Sequence, residues 1–225
     1  MSISNATELG VSEPGAHAFI NMYIPKLFNP PIFAKGKGCT KAFGVRVDRF
    51  LQRFVEQGWL DTTYDCDRDF CESLRKDKAA IAAHCIRSKL ILAGFVCTDT
   101  QIKFSAFGIS PIVDLFGYDS AGGKTIVEIK CGRSAAQQCR QRYMLKPFDC
   151  FACNGYNLAM MQLALQLVCM QAVFGEVSQE NRKSKNNPHN AWLATYNCSK
   201  GTTSIKKIPS NIVTKVQEVM TARVY

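Results

Sequence analysis

The sequence predicts an α/β fold in which helices flank a central mixed β-sheet. Three observations support this prediction: apolar residues at helical spacing before residue 90, strand-like segments between residues 90 and 131, and a helix, two strands and a closing helix after residue 157. The chain has 225 residues, of which 47% are hydrophobic and 20% are charged. This mixture is sufficient for the core of one domain.

The N-terminal part of the chain carries the first helical patterns. Residues 1–42 contain many prolines and glycines, which predicts an irregular arm with one short helix over residues 16–23. Residues 43–225 are predicted to form the main domain. Apolar residues recur at helical spacing over residues 44–58, and a second helix is expected over residues 71–89.

The middle of the chain is predicted to form strands. We expect a strand over residues 90–98 with a hairpin partner over residues 101–107, and then a longer strand over residues 109–118. A turn at residues 119–123 reverses the chain into another strand over residues 124–131. The last two strands therefore form an antiparallel hairpin.

The C-terminal part returns to helix and strand in alternation. Residues 157–174 are strongly apolar and predict a core helix. Two strands are expected over residues 191–197 and 203–208. Ser210 is predicted to be the N-cap of a closing helix over residues 211–222, because its hydroxyl can accept a hydrogen bond from a free backbone N–H.

Basic residues outnumber acidic residues. The 28 Lys and Arg against 18 Asp and Glu give a formal net charge of +10 and a pI near 9.1. A polyanion such as a nucleic acid is the natural partner of such a surface, since each phosphate contact releases counterions. The alternative is a basic protein with no role at a nucleic acid.

The composition does not point to a membrane or to secretion. No stretch reaches the roughly 18 consecutive apolar residues that span a bilayer, and the N-terminus lacks a basic segment followed by an apolar run. We therefore expect a soluble, intracellular protein with no membrane partner, whose 11 cysteines are reduced thiols. A structural metal site at Cys150 and Cys153 is the alternative, because their spacing suits zinc or an iron–sulfur cluster.

Asp114, Glu128 and Lys130 form the most informative pattern in the sequence. Asp114 and Glu128 lie on opposite strands of the predicted hairpin, and Glu128 and Lys130 are two residues apart on one face. We expect them to converge at one sheet edge, in apolar strands where an unpaired charge is costly to bury. A Mg²⁺ ion would offset that cost through carboxylate, carbonyl and water oxygens. The alternative is a solvated sheet face on which Lys130 is an ion-pair partner.

The segments around these residues resemble the motifs of a nuclease superfamily. Residues 109–115 (ISPIVDL) and 126–132 (IVEIKCG) resemble motifs II and III of PD-(D/E)XK nucleases, in the branch of RecB-type, Cas4-type, lambda-exonuclease-like and viral alkaline nucleases. Gln162, on an apolar helix, and residues 44–51 resemble two further motifs of that branch. Asp48 stands where RecB- and Cas4-type members usually have His, which leaves its role as a second-metal ligand open.

The resemblance implies a restriction-endonuclease-like core and a metal-dependent DNA nuclease. Asp114, Glu128 and the backbone carbonyl of Ile129 would bind Mg²⁺ or Mn²⁺. Lys130 would be the catalytic lysine, and Gln162 would hold the site or the DNA backbone. The alternative for Gln162 is a polar residue of the core helix without a catalytic role.

The expected activity is hydrolysis of phosphodiester bonds by an exonuclease on linear DNA, in replication, recombination or repair. An endonuclease on branched or single-stranded DNA is one alternative, and a non-catalytic nucleic-acid-binding protein is another. The resemblance also leaves open a viral origin, with action in the nucleus or cytoplasm of a host. It further allows a homo-oligomer, or a single-strand-binding or recombination partner.

Several side chains outside the carboxylate pattern are expected to contact DNA. Lys41 and Arg46 belong to a basic cluster that could grip a terminal phosphate, or could form a solvated face. The ring of Tyr156 could stack on an unpaired base, with core packing as the alternative. The residues assigned to nucleic-acid binding are Lys41, Arg46, Ser110, Arg133, Arg140, Arg142 and Tyr156.

Overall fold

A computed structural model describes residues 13–23, 41–61, 76–132, 143–174 and 189–222. Their helices and strands, in chain order, are α1 (Ala16–Asn21), α2 (Lys41–Gln57), α3 (Lys78–Leu92), β1 (Val96–Lys103), β2 (Ile112–Tyr118), β3 (Lys124–Gly132), α4 (Gly155–Val173), β4 (Asn190–Asn197), β5 (Thr202–Lys207) and α5 (Ser210–Thr221).

The strands form one mixed sheet with the order β1-β2-β3-β4-β5. β3 and β4 pair in parallel, and every other neighbouring pair is antiparallel. Two parallel neighbours need a crossover connection, and the connection between β3 and β4 contains α4. The predicted α/β architecture, a central mixed sheet flanked by helices, is confirmed.

Helices α2 and α3 cover one face of the sheet. Leu51 and Phe54 of α2 pack with Ile86 of α3 in a buried cluster that also includes Val127 and Ile129 of β3. These two β3 residues alternate with Glu128, so successive side chains of β3 point to opposite faces. The odd-numbered residues of β3 therefore face α2 and α3.

Helix α4 covers the opposite face, together with α1 and α5. Ile126 of β3 and Leu193 of β4 are buried in the same cluster as the apolar residues of α4, and Phe19 of α1 and Val216 of α5 join them. Phe19 is fully buried, so the described part of the N-terminal arm contributes to the core. The predicted boundary near residue 42 stays a prediction.

Helix α4 is long and apolar enough to cross a membrane by length and composition alone, although the sequence contains no stretch of consecutive apolar residues of that length. In the fold, however, 67% of its most apolar 18-residue window is buried. This burial is what a core helix of a water-soluble protein shows. It agrees with the expectation of a soluble protein.

Two sequence-based predictions of local structure are wrong. Residues 90–92 belong to α3, and the two strands expected over residues 90–107 are one strand, β1, which pairs with β2. A short apolar run suits a helix end and a strand equally well, and the helix continues until the left-handed backbone at Gly94 (φ 83°). Ser210 is the first helical residue of α5, whose N-cap is Pro209 without a side-chain hydrogen bond.

Helix α3 starts later than predicted within the described residues. Its N-cap is Asp77, whose side chain accepts a hydrogen bond of 2.8 Å from the N–H of Ala79. An Asp at this position satisfies one of the backbone donors that the first helical turn leaves free. Residues 71–75, which the prediction also included in this helix, lie outside the described residues.

The approach of β1 to β2 requires a glycine at position 117. A Cβ atom placed on Gly117 would lie 1.9 Å from the carbonyl oxygen of Val96 and 2.9 Å from the Cα of Cys97. Both contacts are with backbone, which cannot move away without breaking the pairing of the two strands. By contrast, a Cβ atom on Gly44, within α2, would have no heavy atom within 4 Å apart from the adjacent residues and backbone of its own helix.

We expect the same substitution to have opposite effects at these two glycines. Gly117→Ala should lower the free energy of unfolding by about 3 kcal/mol or more, because it overpacks two strands. Gly44→Ala should raise it by about 0.5–1 kcal/mol, because alanine favours a helix interior. Urea unfolding of both variants checks the prediction, and a stable Gly117→Ala protein would show that the strand spacing described here is wrong.

Candidate active site

The sheet opens into a fork between β2 and β3, and the carboxylates lie in that fork. The two strands pair as far as Leu115 and Val127. Asp114 and Glu128 would form the next pair, but the pairing of the two strands ends before them. Instead, Oδ2 of Asp114 accepts a hydrogen bond of 2.7 Å from the N–H of Ile129. The site is thus inside the sheet, between two interior strands, and the prediction of a sheet-edge site is wrong.

Glu128 is a buried carboxylate whose two oxygens are both held by amide groups. Its side chain is 2% exposed, so the alternative of a solvated face is wrong for this residue. Oε1 accepts a hydrogen bond from Nε2 of Gln162, and Oε2 accepts one from Nε2 of Gln166, each at 2.8 Å. Lys130 forms an ion pair with Oε1. A buried carboxylate with these partners has a fixed position.

Gln166 is a site residue that the sequence reasoning missed. It is fully buried, and besides its bond to Glu128 its Nε2 donates to the carbonyl of Ile112 at 2.8 Å. Gln166 therefore bridges β2 and β3 across the fork. The signal in the sequence was its position four residues after Gln162, since residues at this spacing share a helix face.

Asp48 reaches the same site from α2. Partial burial and the neighbouring charge of Glu128 raise the pKa of Asp48 to about 6, against a smaller opposing effect of Lys130. Burial, followed by the charge of Glu128, also raises the pKa of Asp114 well above its usual value. The pKa of Lys130 is raised as well: burial lowers it, but the charges of Glu128 and Asp114 outweigh that effect.

The donor atoms at this site suit a hard divalent cation. Asp114 and Glu128 supply two carboxylates, and Asp48 adds a third negative charge that interacts with Glu128, against the one ammonium group of Lys130. The Ile129 carbonyl points to the same side of β3 as its N–H, toward the fork, which adds a neutral oxygen. Among the described residues, no group of three His, Cys, Asp or Glu side chains could enclose a metal by itself. Mg²⁺ does not require one, because it binds through one or two carboxylates and keeps several waters.

The structure places the predicted nucleic-acid contacts in different surroundings. Lys41 is exposed at the start of α2, and Arg46, further along α2, forms an ion pair with Asp77. Arg133, Arg140 and Arg142 lie outside the described residues. The contacts of all five with DNA stay predictions.

The two remaining predicted contacts differ in their exposure. Ser110 is 5% exposed. Its hydroxyl group donates a hydrogen bond to the carboxylate of Glu13 and lies 2.6 Å from the hydroxyl of Ser105. Its side chain is thus occupied within the fold. Tyr156 is half-buried in the first turn of α4, and the ammonium of Lys206 lies 5.0 Å from its ring centroid.

The sequence analysis expected every cysteine to be reduced, and this expectation is wrong. Cys198 is disulfide-bonded. Among the described residues, the cysteines that are not in a disulfide are Cys85, Cys97, Cys131, Cys150, Cys153 and Cys169. Cys150 is exposed whereas Cys153 is buried, and neither belongs to a cluster of metal-binding side chains within the described residues.

Comparisons with known proteins find no match in sequence and only remote likenesses in structure. No protein-family model matches the chain, and no curated protein matches it. One solved structure that matches is the crystal structure of a protein named "Putative exonuclease" from Eubacterium rectale, at 14% identity and a TM-score of 0.40. The match covers 81% of this chain and 65% of that protein, slightly under two thirds of its length. This likeness is too remote for an activity to be transferred.

The raised pKa of Asp48 predicts how stability depends on pH in the absence of divalent cations. The folded state holds the Asp48 proton up to about pH 6, whereas the unfolded state releases it near pH 3.8. Folding is therefore penalised as pH rises through this window, and the penalty is complete above it. After allowance for solvent screening, Asp48→Asn should stabilise the protein at pH 8 by about 1–2 kcal/mol, and by less at about pH 4.5.

Urea unfolding in EDTA at these two pH values measures the effect. Glu56→Gln is the matched control, because it removes an exposed carboxylate from the same helix. An Asp48→Asn protein that is less stable than the wild type at pH 8 would contradict the described surroundings of Asp48.

Proposed function

We propose that this protein is a metal-dependent DNA nuclease that hydrolyses phosphodiester bonds. The observation that carries the proposal is the buried Glu128 carboxylate, held in place by two amides and a lysine beside a second carboxylate in a fork of the sheet. Burial raises the pKa of the neighbouring Asp48 and Asp114, which is costly to the fold, and carboxylates with shifted pKa values concentrate at functional sites. The net charge of +10 favours a polyanionic substrate.

The metal ligands in this proposal are Asp114, Glu128 and the backbone carbonyl of Ile129. Their oxygens suit Mg²⁺ or Mn²⁺. When bound, such a cation polarises a phosphate and lowers the pKa of a coordinated water. The carboxylate of Asp48 is close enough to interact with the charge of Glu128. Asp48 therefore adds negative potential that attracts the cation.

Lys130 is the proposed catalytic lysine. Its raised pKa keeps the ammonium protonated at neutral pH, and its side chain is 20% exposed, so it can meet a substrate. In this position it orients the attacking water and stabilises the negative charge that develops on the phosphate. Gln162 and Gln166 are positioning residues in this proposal, because each donates a hydrogen bond that holds the Glu128 carboxylate in place.

The resemblance of the motifs favours action on free ends, and hence an exonuclease. Closed circular DNA has no ends, so it separates this activity from that of an endonuclease. DNA binding without cleavage would mark the third possibility, a nucleic-acid-binding protein that keeps the site without catalysis.

The central prediction concerns cleavage of end-labelled linear DNA in Mg²⁺ or Mn²⁺. The wild type should degrade linear DNA and leave the closed circle intact, and EDTA should abolish cleavage. Glu128→Gln and Lys130→Gln should each lower the rate by about 10²–10⁴-fold, because each removes a charge at the reacting phosphate. Circular dichroism of both variants establishes that they are folded.

Metal binding can be measured without any substrate. Mg²⁺ should raise the Tm of the wild type and have a much smaller effect on Glu128→Gln, since a ligand that binds the folded state stabilises it. Cleavage that survives in EDTA or in folded Glu128→Gln would contradict the proposal. Cleavage of the closed circle would retain the metal site and replace the exonuclease by an endonuclease.

A further prediction concerns Gln166 as a positioning residue. Gln166→Met keeps the volume of the side chain but removes both hydrogen bonds. We expect the Mg²⁺ concentration needed for half-maximal activity to rise by about 10–100-fold, as for other residues that orient a metal ligand. The KM for DNA should be unchanged, and excess Mg²⁺ should restore part of the rate.

Gln171→Met is the matched control for this variant. Gln171 lies on the same helix but bonds Gln217 of α5 instead of Glu128. A folded Gln166→Met protein with the Mg²⁺ dependence of the wild type would show that Gln166 has only a structural role.

A further inference from the structure

A row of polar side chains continues from the candidate site across the sheet. Lys130 of β3 is in register with Thr195 of β4, and Thr195 is in register with Ser204 of β5. The hydroxyl groups of Thr195 and Ser204 lie 2.7 Å apart, which confirms that the two side chains share a face. Thr195 and Ser204 were not singled out by the sequence, because the register of β3 with β4 joins distant segments.

The row lies on the α4 face of the sheet. Leu193 of β4 packs in the α4 cluster, and Lys206 is its partner on β5. Ser204 and Lys206 are two residues apart and therefore share that face. Lys207 points to the opposite face, where its ammonium lies 5.8 Å from the ring centroid of Trp192.

Lys206 lies beside the β5 end of the row, and its partner Tyr156 lies in the first turn of α4. Lys206 is exposed, and its ammonium lies over the Tyr156 ring at 5.0 Å from the centroid. A cation over an aromatic face is attracted by the ring electrons, which favours this position of the flexible lysine side chain. The ring of Tyr156 thus helps to hold the Lys206 charge beside the hydroxyl pair.

The chemistry of the row suits phosphate oxygens. Two hydroxyl groups that share one hydrogen bond keep one further O–H donor, and Lys206 offers an ammonium. Neither β4 nor β5 contains an acidic residue (NAWLATYN and TTSIKK), so neither strand brings a negative charge against the row. From β3 to β5 the row spans two strand spacings, roughly 10 Å. This length corresponds to about three nucleotides at a rise of about 3.4 Å each.

We propose that Thr195, Ser204 and Lys206, with Tyr156, form a track that binds the phosphate backbone of the DNA strand beside the phosphate to be cleaved. The proposal rests on the nuclease function proposed above, and it adds a path for the substrate. Backbone contacts of this kind position a strand without reading its sequence. The track therefore accepts DNA of any sequence.

Lys206→Ala and Lys207→Ala provide a matched comparison. The two lysines are neighbours on one strand and carry the same charge, but they point to opposite faces. Binding of a fluorescent DNA oligonucleotide in EDTA, at several salt concentrations, should be weakened about 5–10-fold by Lys206→Ala, and the salt slope should fall by about one. Lys207→Ala should change the affinity by less than about twofold.

The hydroxyl pair has its own test. The double variant Thr195→Val, Ser204→Ala should weaken binding about 3–10-fold without changing the salt slope, because it removes neutral donors and no charge. In the cleavage assay, Lys206→Ala should raise KM and leave kcat close to the wild-type value. Equal effects of Lys206→Ala and Lys207→Ala on binding would overturn the track.

These results also separate the track from the proposed function. Glu128→Gln should still bind DNA, and Lys206→Ala should weaken that binding as well. If Lys206→Ala weakens DNA binding more than Lys207→Ala does, in a protein that cleaves no DNA, the track is supported and the nuclease function is overturned. Cleavage by the wild type with no difference between the two lysine variants would support the nuclease and overturn the track. A wild-type protein that binds no DNA would overturn both.

Discussion

The burial of one carboxylate, that of Glu128, sets the arrangement of the elements around it. A charge removed from water must recover its hydrogen bonds inside the protein. Glu128 does so through Gln162 and Gln166 from α4 and through its neighbour Lys130. This requirement depends on three features of the fold: the position of α4 on the sheet, the opening between β2 and β3, and the connection from β3 to β4. A shift of α4 by one turn would move one of these glutamines into the place of the other and leave the carboxylate with one amide instead of two.

The same feature explains why the mostly apolar helix α4 has Gln162 and Gln166 on one side. α4 is long and mostly buried, so a polar side chain within it is costly unless it has a partner. Gln166 uses both of its amide hydrogens, one on Glu128 and one on the Ile112 carbonyl, at the point where β2 and β3 no longer pair. Stability and the geometry of the candidate site therefore depend on the same hydrogen bonds, and a substitution at Gln166 affects both.

The sequence predicted the parts of the site that depend on local structure. Asp114 and Glu128 are joined by a tight hairpin, so their proximity follows from the turn alone. The row of Lys130, Thr195 and Ser204 was not predictable, since it depends on how β3 and β4 align across a long connection. The first predicted strand pair, over residues 90–107, was wrong, because an apolar run at the end of α3 resembled a strand. Local patterns thus predicted the elements and the carboxylate pair, whereas tertiary register determined the remaining contacts.

In the proposed metal site, the hydrogen bonds of Glu128 would also limit how it coordinates the ion. A carboxylate has roughly four lone-pair positions. Gln162 and Lys130 occupy both positions on Oε1, and Gln166 occupies one on Oε2. While these partners stay bound, a single position on Oε2 is left, so Glu128 can offer an ion one oxygen and cannot chelate it with two. Such a ligand fits the octahedral shell of Mg²⁺ better than Ca²⁺, which often takes both oxygens of a carboxylate. The amides that hold the carboxylate in place therefore also favour the smaller ion.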